Sequence, residues 1–162
     1  MKKFIKDRIL NSKYKDAFLR RFKNRDGLKL LDVGCGNNSP FYVKKQLPLV
    51  NYTGIDIGDY NQDKPNLADR YLITTPELFS EEIDKFNNCF DIVISAHNLE
   101  HCNHPIKTLE SMINATKSGG GIFLSFPCAR SVGFPQRKGT LNYYDDPLIN
   151  LIHRAGMKLL IR

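Results

Sequence analysis

The pattern of apolar residues along the chain predicts an alternation of strands and helices. Short continuous apolar runs, typical of strands buried on both faces, occupy residues 28–33, 52–57, 70–73, 90–95, 122–126 and 157–161. Helices are predicted between them at residues 39–46, 76–86, 105–116 and 146–155. Pro40 lies in the first turn of the first of these helices, and Ser118-Gly-Gly-Gly is the expected stop of the third. This order predicts an α/β fold with a doubly wound, mainly parallel sheet and helices on both faces.

A basic amphipathic helix is predicted before the first strand. Residues 4–22 carry apolar side chains mostly four or five positions apart, and Asp26-Gly27 ends the helix. Residues 1–30 hold eleven Lys or Arg and three Asp, whereas the rest of the chain holds 13 basic and 14 acidic residues. Because the basic charge is confined to one segment, the pattern argues against nucleic-acid binding by the whole domain. It also suits peripheral contact with an anionic membrane.

Composition excludes several classes of protein. The chain has 162 residues, of which 41% are hydrophobic and 25% charged, so it suits one folded domain rather than a disordered or fibrous protein. No apolar run approaches the roughly 20 residues that span a bilayer, and charges interrupt the N-terminal sequence where a signal peptide would be apolar. Four scattered cysteines without a CxxC pair favour reduced thiols. We therefore expect a cytoplasmic protein.

Two polar motifs follow the first two predicted strands. The first is Asp32-Val33-Gly34-Cys35-Gly36, and the second is Gly54-Ile55-Asp56-Ile57. Ligands of doubly wound sheets bind beyond the carboxyl ends of the strands, and glycine lets the backbone approach a ligand closely. Asp56 is placed to accept hydrogen bonds from both hydroxyls of a ribose. Ser39 stands where the full dinucleotide pattern has its third glycine. Together the two motifs indicate a ligand that contains adenosine.

Asp32 allows two interpretations. As an acid beneath the glycine turn, it can accept hydrogen bonds from the turn or from an amino group of the ligand. Alternatively, it is a purely structural residue of a tight strand-to-helix turn. The sequence leaves both open.

A third motif, His97-Asn98-Leu99-Glu100-His101, follows the strand predicted at residues 90–95. Its spacing fits the HxxEH pattern of zinc hydrolases, in which both histidines bind the metal and Glu100 activates water. That interpretation requires a helix through both histidines, although a strand ends just before them. Alternatively, Glu100 and His101 cap the next helix and face the pocket structurally.

Together, DVGCG, GIDI, FDIVISAHNLEH and SGGGIFLSFP resemble, in order and spacing, the class I S-adenosylmethionine-dependent methyltransferases over about residues 28–128. The resemblance implies a Rossmann-like fold, S-adenosyl-L-methionine as cofactor, no metal, and direct in-line methyl transfer to a small or glycan-type acceptor. His97 and His101 are the expected catalytic bases for an oxygen acceptor, and Asp91 resembles a structural acid of the family. The resemblance implies these cofactor-binding residues: Asp32, Gly34, Cys35, Gly36, Asp56, Ile57, Thr75, Ala96 and His97.

A substrate loop is expected at residues 127–145, the longest segment without a predicted element. Its cations and aromatic rings suit an anionic, ring-containing acceptor such as a sugar phosphate. This stretch loosely resembles small bacterial methyltransferases of surface-polysaccharide assembly; a solvated surface loop is the alternative. The expected substrate residues are Arg130, Arg137, Lys138, Tyr143 and Tyr144.

The chain departs from the family pattern after the fifth strand and agrees with it before the first. After the fifth strand the family has two more, whereas only residues 157–161 remain here, so we expect C-terminal strands that are reduced or truncated. An uncovered sheet edge would favour pairing with a second copy, and the missing strand suggests a non-catalytic cofactor-binding or partner-binding domain as an alternative function. The family commonly has a leading helix over the cofactor site. Residues 1–25 are therefore predicted to be a lid on a single methyltransferase domain of residues 26–162, with this apolar face: Ile5, Ile9, Tyr14, Phe18 and Phe22.

Overall fold

A computed structural model describes residues 13–60 and 62–125, which form a parallel sheet with helices on both faces. The strands are β1 (Lys29–Val33), β2 (Asn51–Asp56), β3 (Arg70–Ile73), β4 (Phe90–Ala96) and β5 (Thr116–Ser125). The helices are α1 (described over residues 13–20), α2 (Ser39–Gln46), α3 (Phe79–Asp84) and α4 (Pro105–Ala115), with one 3-10 turn at Leu99–His101. The strand order is β3-β2-β1-β4-β5, and every pairing is parallel. The predicted Rossmann-like, doubly wound parallel sheet is confirmed.

The order of the strands reverses between β1 and β4. The chain moves outward from β1 to β3 and then returns to the other side of β1 with β4 and β5. A crevice therefore opens beyond the carboxyl ends of β1 and β4, the position at which doubly wound sheets bind their ligands.

Most predicted elements agree with the structure, and α2 and β3 agree to the residue. The expected role of Ser118-Gly-Gly-Gly was wrong, because α4 ends at Ala115 and β5 already begins at Thr116 and passes through the glycines. A register shift against β4 between Phe90 and Ile92 accommodates them. A Cβ at Gly121 would lie 2.8 Å from the Phe22 ring, so this glycine lets α1 and its turn approach the strand closely. The predicted elements after residue 125 lie outside the described residues.

Alternate residues of the strands face two separate clusters of buried side chains. Leu31, Val33 and Val93 pack with residues of α3 and α4 on one face of the sheet. Leu30 and Ile92 pack with residues of α1 and α2 on the other. Since neighbouring strand residues point to opposite faces, this division explains why the strands read as continuous apolar runs.

The described part of α1 is anchored in the second cluster. Leu19 and Phe22 are buried there, and the Phe18 ring lies 5.3 Å from the Phe22 ring and 5.8 Å from that of Phe123. Residues 1–12 lie outside the described residues, so both the lid and the membrane contact stay predictions, as does pairing through a sheet edge. Within the part of the chain that is described, no helix is long and apolar enough to cross a membrane.

Leu19→Ala tests the anchoring of α1. Leu19 is fully buried, so truncating it leaves a cavity, and we expect the free energy of unfolding to fall by about 2–5 kcal/mol in urea titrations. Leu49→Ala is the matched control, because Leu49 is 78% exposed and its truncation should change stability by less than about 0.5 kcal/mol. Equal effects of the two substitutions would contradict the packing of α1.

Asp91 joins the amino end of β4 to its neighbours. Its carboxylate accepts hydrogen bonds from the Lys29 backbone N–H (2.9 Å) and from Lys117 Nζ (3.0 Å). Burial acts to raise the pKa of Asp91, but these two donors outweigh it and hold the pKa below its usual range. The predicted structural role of this acid agrees with these contacts.

The lowered pKa of Asp91 predicts a pH-dependent contribution to stability. The unfolded chain binds the proton more readily, so the stabilisation is present above about pH 4 and is lost as the pH falls through the lower, folded-state pKa. We expect Asp91→Asn to cost about 1 kcal/mol above that pH, since Lys117 is partly exposed, and progressively less below it. Urea unfolding of both proteins across this range provides the measurement, and parallel pH profiles would contradict the role of the ionised carboxylate.

Candidate functional site

Three loops meet in the crevice beyond β1 and β4. The turn after β1 is tied to β2 because Gly34 N–H donates to the Ile55 carbonyl (2.8 Å). The Asn37 N–H donates to the Tyr60 carbonyl (2.9 Å), which brings the loop after β2 over the same turn. The topology therefore assembles the motifs that the sequence keeps apart.

Gly34 is the point of closest approach in this turn. Its φ is +77°, a conformation that glycine adopts without strain. A Cβ placed there would lie 2.4–2.5 Å from the side chain of Asn98, in the loop after β4. Only a residue without a side chain allows these two loops to lie against each other.

Asp56 ends β2 beside the glycine turn and is buried. One carboxylate oxygen accepts a hydrogen bond from the Gly36 N–H (2.9 Å), and the other accepts one from the N–H of the next residue, Ile57 (2.7 Å). Burial raises the pKa of Asp56, while these N–H groups oppose the rise by favouring the ionised form. A carboxylate oriented in this way, at the edge of the crevice, has the chemistry to accept hydrogen bonds from ligand hydroxyls.

Asp32 lies beneath the turn and bonds to the protein itself. Its Oδ2 accepts hydrogen bonds from the hydroxyls of Ser39 (2.5 Å) and Tyr52 (2.6 Å), and Lys15 Nζ donates to the Ser39 Oγ (3.2 Å). Burial raises the pKa of Asp32, and the positive charge of Lys15 offsets part of this effect. These contacts link β1, β2, α1 and α2, so they give Asp32 a structural function; a contact with a ligand stays a prediction.

The loop after β4 carries the two predicted catalytic histidines. Ala96 ends the strand, and His97 adopts a positive φ of 56° while its N–H donates to the Ser125 carbonyl (2.6 Å). The side chains of His97 and His101 are 48% and 75% exposed, whereas that of Glu100 between them is 6% exposed. The loop thus presents two imidazoles to solvent above a buried carboxylate.

The zinc-hydrolase interpretation of this motif lacks its helix. Only Leu99–His101 is helical, as one 3-10 turn, and His97 precedes it in a left-handed conformation. Among residues 13–60 and 62–125, no cluster of three or more His, Cys, Asp or Glu side chains is arranged to hold a metal ion.

The remaining predicted cofactor residues are placed unequally. The exposed Ile57 follows Asp56, and the Thr74 N–H donates to the Asp56 carbonyl (2.9 Å), which places Thr75 near the same edge. The Cys35 side chain instead points into the core, where burial raises the pKa of its thiol, so only its backbone can face a ligand. The predicted substrate residues all lie outside the described residues: Arg130, Arg137, Lys138, Tyr143 and Tyr144.

Three residues of the crevice were not predicted. Asn98 packs on Gly34, Tyr60 lies over Gly36, and Gln62 donates its amide to the Cys35 carbonyl (3.3 Å). Asn98 sits inside a motif that drew attention to its histidines, and Tyr60 and Gln62 lie in a loop with no distinctive spacing. Only the strand order brings these residues to the glycine turn.

The sequence pattern of the methyltransferase-domain family matches residues 6–160 of the chain. This chain belongs to that family, so the predicted membership of the methyltransferases is confirmed.

The chain matches only part of the length of each curated relative. The chain is 34% identical to a ubiquinone biosynthesis O-methyltransferase of Saccharophagus degradans over 104 residues, which are 60% of this chain and 42% of that protein. The chain spans less than half the length of these curated relatives. These relatives are named for ubiquinone biosynthesis, so the finer resemblance to methyltransferases of polysaccharide assembly stays a prediction.

Solved structures share the fold at low sequence identity. The [4+2]-cyclase SpnF superposes with a TM-score of 0.65 at 20% identity, covering 91% of this chain and 58% of that one. The plantazolicin methyltransferase BpumL, solved with SAH (S-adenosylhomocysteine), superposes with a TM-score of 0.57 at 21% identity, covering 73% and 48%. At these identities the likeness concerns the fold alone.

Proposed function

We propose that this chain uses S-adenosylmethionine to methylate a hydroxyl oxygen of a small acceptor. The observation that carries the proposal is the placement of the Asp56 carboxylate beside the Gly34–Gly36 turn, at the strand-order reversal of a methyltransferase-family sheet. Its support from the comparisons is the family itself and relatives that are named as O-methyltransferases.

The residues of the crevice fit the cofactor. The Asp56 carboxylate is oriented beside the glycine turn by the N–H groups of Gly36 and Ile57, so it would hold the ribose hydroxyls. Ile57 and Thr75, beside Asp56, would border the adenine, and Ala96 and His97 would lie near the sulfonium. When bound, S-adenosylmethionine supplies an electrophilic methyl group, so the protein needs only to orient the acceptor and exclude water.

An oxygen acceptor also needs a base to take its proton, for which His97 and His101 are the candidates at this edge. The finer proposal of a glycan-type acceptor rests on the sequence of residues 130–146, outside the described residues. A glycan is therefore one of several acceptors to be tested for methyl transfer.

A cofactor-binding domain without methyl transfer is the second candidate. The observation in its favour is the fold shared with SpnF, which is named as a cyclase. This fold consequently does not by itself imply methyl transfer.

Calorimetric titration with S-adenosylhomocysteine, followed by transfer of labelled methyl groups to phenols, sugars and small acids, tests both candidates. We expect saturable binding and label in a hydroxyl-bearing acceptor. Binding without transfer to any acceptor would favour the second candidate. Heat from NADH or zinc, with none from S-adenosylhomocysteine, would overturn the proposal.

A further inference from the structure

The side chain of Glu100 is buried although one of its two carboxylate oxygens is not hydrogen-bonded. The side chain is 6% exposed, and its Oε2 is without a hydrogen-bond partner among the described residues. Removing a carboxylate from water without compensating hydrogen bonds is costly. Such a group needs a donor or a positive charge to face it.

The imidazoles of two histidines lie close enough to this carboxylate to supply one. The Glu100 Oε1 lies 3.6 Å from Nδ1 of His97 and 3.9 Å from Nε2 of His101. Cys102 also interacts with Glu100, but a thiol cannot supply a positive charge; burial, together with the negative charge of Glu100, raises the pKa of this thiol to about 11. The two histidines are therefore the groups that can pair with this carboxylate.

His97 is the better placed of the two. It directly follows β4 at the crevice, its backbone is fixed by the N–H bond to Ser125, and its Nδ1 faces Glu100 at the shorter distance. His101 is 75% exposed, and its Nε2 lies at the longer distance from the same carboxylate oxygen. A carboxylate at Nδ1 favours the proton on that nitrogen and leaves the lone pair of Nε2 to accept another.

We propose that Glu100 is a positioning residue that holds His97 with its proton on Nδ1, so that Nε2 accepts the proton of a hydroxyl acceptor. This inference rests on the proposed function and deepens it. The acceptor O–H bond breaks, and its proton passes to Nε2. The oxygen electron pair forms the bond to the methyl carbon, and the electron pair of the methyl–sulfur bond stays on sulfur. Glu100 then faces the resulting imidazolium, whose charge it stabilises.

This arrangement restricts the class of acceptor. A hydroxyl that is neutral at the working pH gains from a base, whereas a thiolate or carboxylate is already ionised and does not. The Glu100–His97 pair therefore points to an alcohol or phenol acceptor.

Imidazole ¹⁵N spectroscopy tests the pair without any substrate. Histidine-labelled protein is compared with Glu100→Gln, with His97→Gln and His101→Gln assigning the signals. We expect His97 to carry its proton mainly on Nδ1 in the parent, and the ratio of Nδ1–H to Nε2–H to fall about tenfold in Glu100→Gln, because the carboxylate charge that attracts the Nδ1 proton is lost. Glu81→Gln is the matched control, since it removes an exposed carboxylate that pairs with Lys107 and should leave the ratio unchanged.

An unchanged His97 ratio in Glu100→Gln, or a response confined to His101, would overturn the inference. If Glu100→Gln does not fold in thermal melts, Glu100→Asp replaces it, because aspartate keeps the charge on a shorter side chain. The inference then requires that His97 partly loses its Nδ1–H form in Glu100→Asp. Titration with S-adenosylhomocysteine separates the two proposals. The Glu100 variant should bind within about twofold of the parent, whereas absence of binding by the parent would defeat the proposed function and leave the imidazole result standing.

Discussion

Gly34→Ala should lower the affinity for S-adenosylhomocysteine by about 100-fold or more. A left-handed conformation costs an alanine roughly 1–2 kcal/mol, and the new Cβ would lie 2.4–2.5 Å from the Cγ, Cβ and Oδ1 of Asn98. Because the Cβ of Asn98 is among these atoms, rotating its side chain does not relieve the clash. The loops after β1 and β4 must separate, which removes the crevice in which the cofactor would bind. Calorimetric titration provides the measurement.

Gly27→Ala is the matched control for this substitution. Gly27 also has a positive φ, of +66°, but a Cβ there would meet nothing within 4 Å. It should therefore lose about 1–2 kcal/mol of stability through backbone strain alone and keep its affinity. Adding Asn98→Gly to Gly34→Ala removes the clashing side chain and should restore part of the binding. If both single variants lose affinity equally, strain rather than loop separation is responsible.

Asp56→Ala should weaken S-adenosylhomocysteine binding by about 10- to 100-fold. Hydrogen bonds to a charged group contribute roughly 1.5–3 kcal/mol, and the ribose would lose those it makes to this carboxylate. The substitution also leaves the N–H groups of Gly36 and Ile57 without their acceptor, so a modest fall in stability is expected as well. Titration at a temperature well below the melting transition isolates the binding effect.

Two further variants make the test of Asp56 specific. Asp56→Asn keeps one carbonyl oxygen as an acceptor, so it should retain more affinity than alanine. Asp84→Ala removes an exposed carboxylate at the end of α3, remote from the crevice, and should bind like the parent. Parent-like affinity in Asp56→Ala would show that the ribose lies elsewhere.

The fold class was within reach of the sequence because its signals are local. Buried parallel strands read as continuous apolar runs, and α2 begins and ends as its Pro40 and apolar spacing predicted. The glycines of the β1 turn and Asp56 could likewise be identified, because a turn with a positive φ and an acid at a strand end are properties of a few consecutive residues. The prediction for Ser118-Gly-Gly-Gly was wrong for the same reason, because it used only the local rule that glycine often ends a helix. In the structure these glycines lie in β5, where a bulge and the aromatic rings of α1 and its turn require small residues.

The amino-acid sequence alone was enough to predict the order of the elements, the burial of the strands on both faces, and the acids and glycines at their ends. Which of these residues meet depends on how the strands pair. The strand order β3-β2-β1-β4-β5 places Asn98 on Gly34, although 64 positions separate them in the chain. The same strand order brings Ser39 and Tyr52 to Asp32, whose Oδ2 accepts a hydrogen bond from each hydroxyl, and it buries Glu100 between two exposed histidines. Burial and hydrogen bonding depend on neighbours brought together by sheet pairing, and these neighbours leave no signal in local spacing.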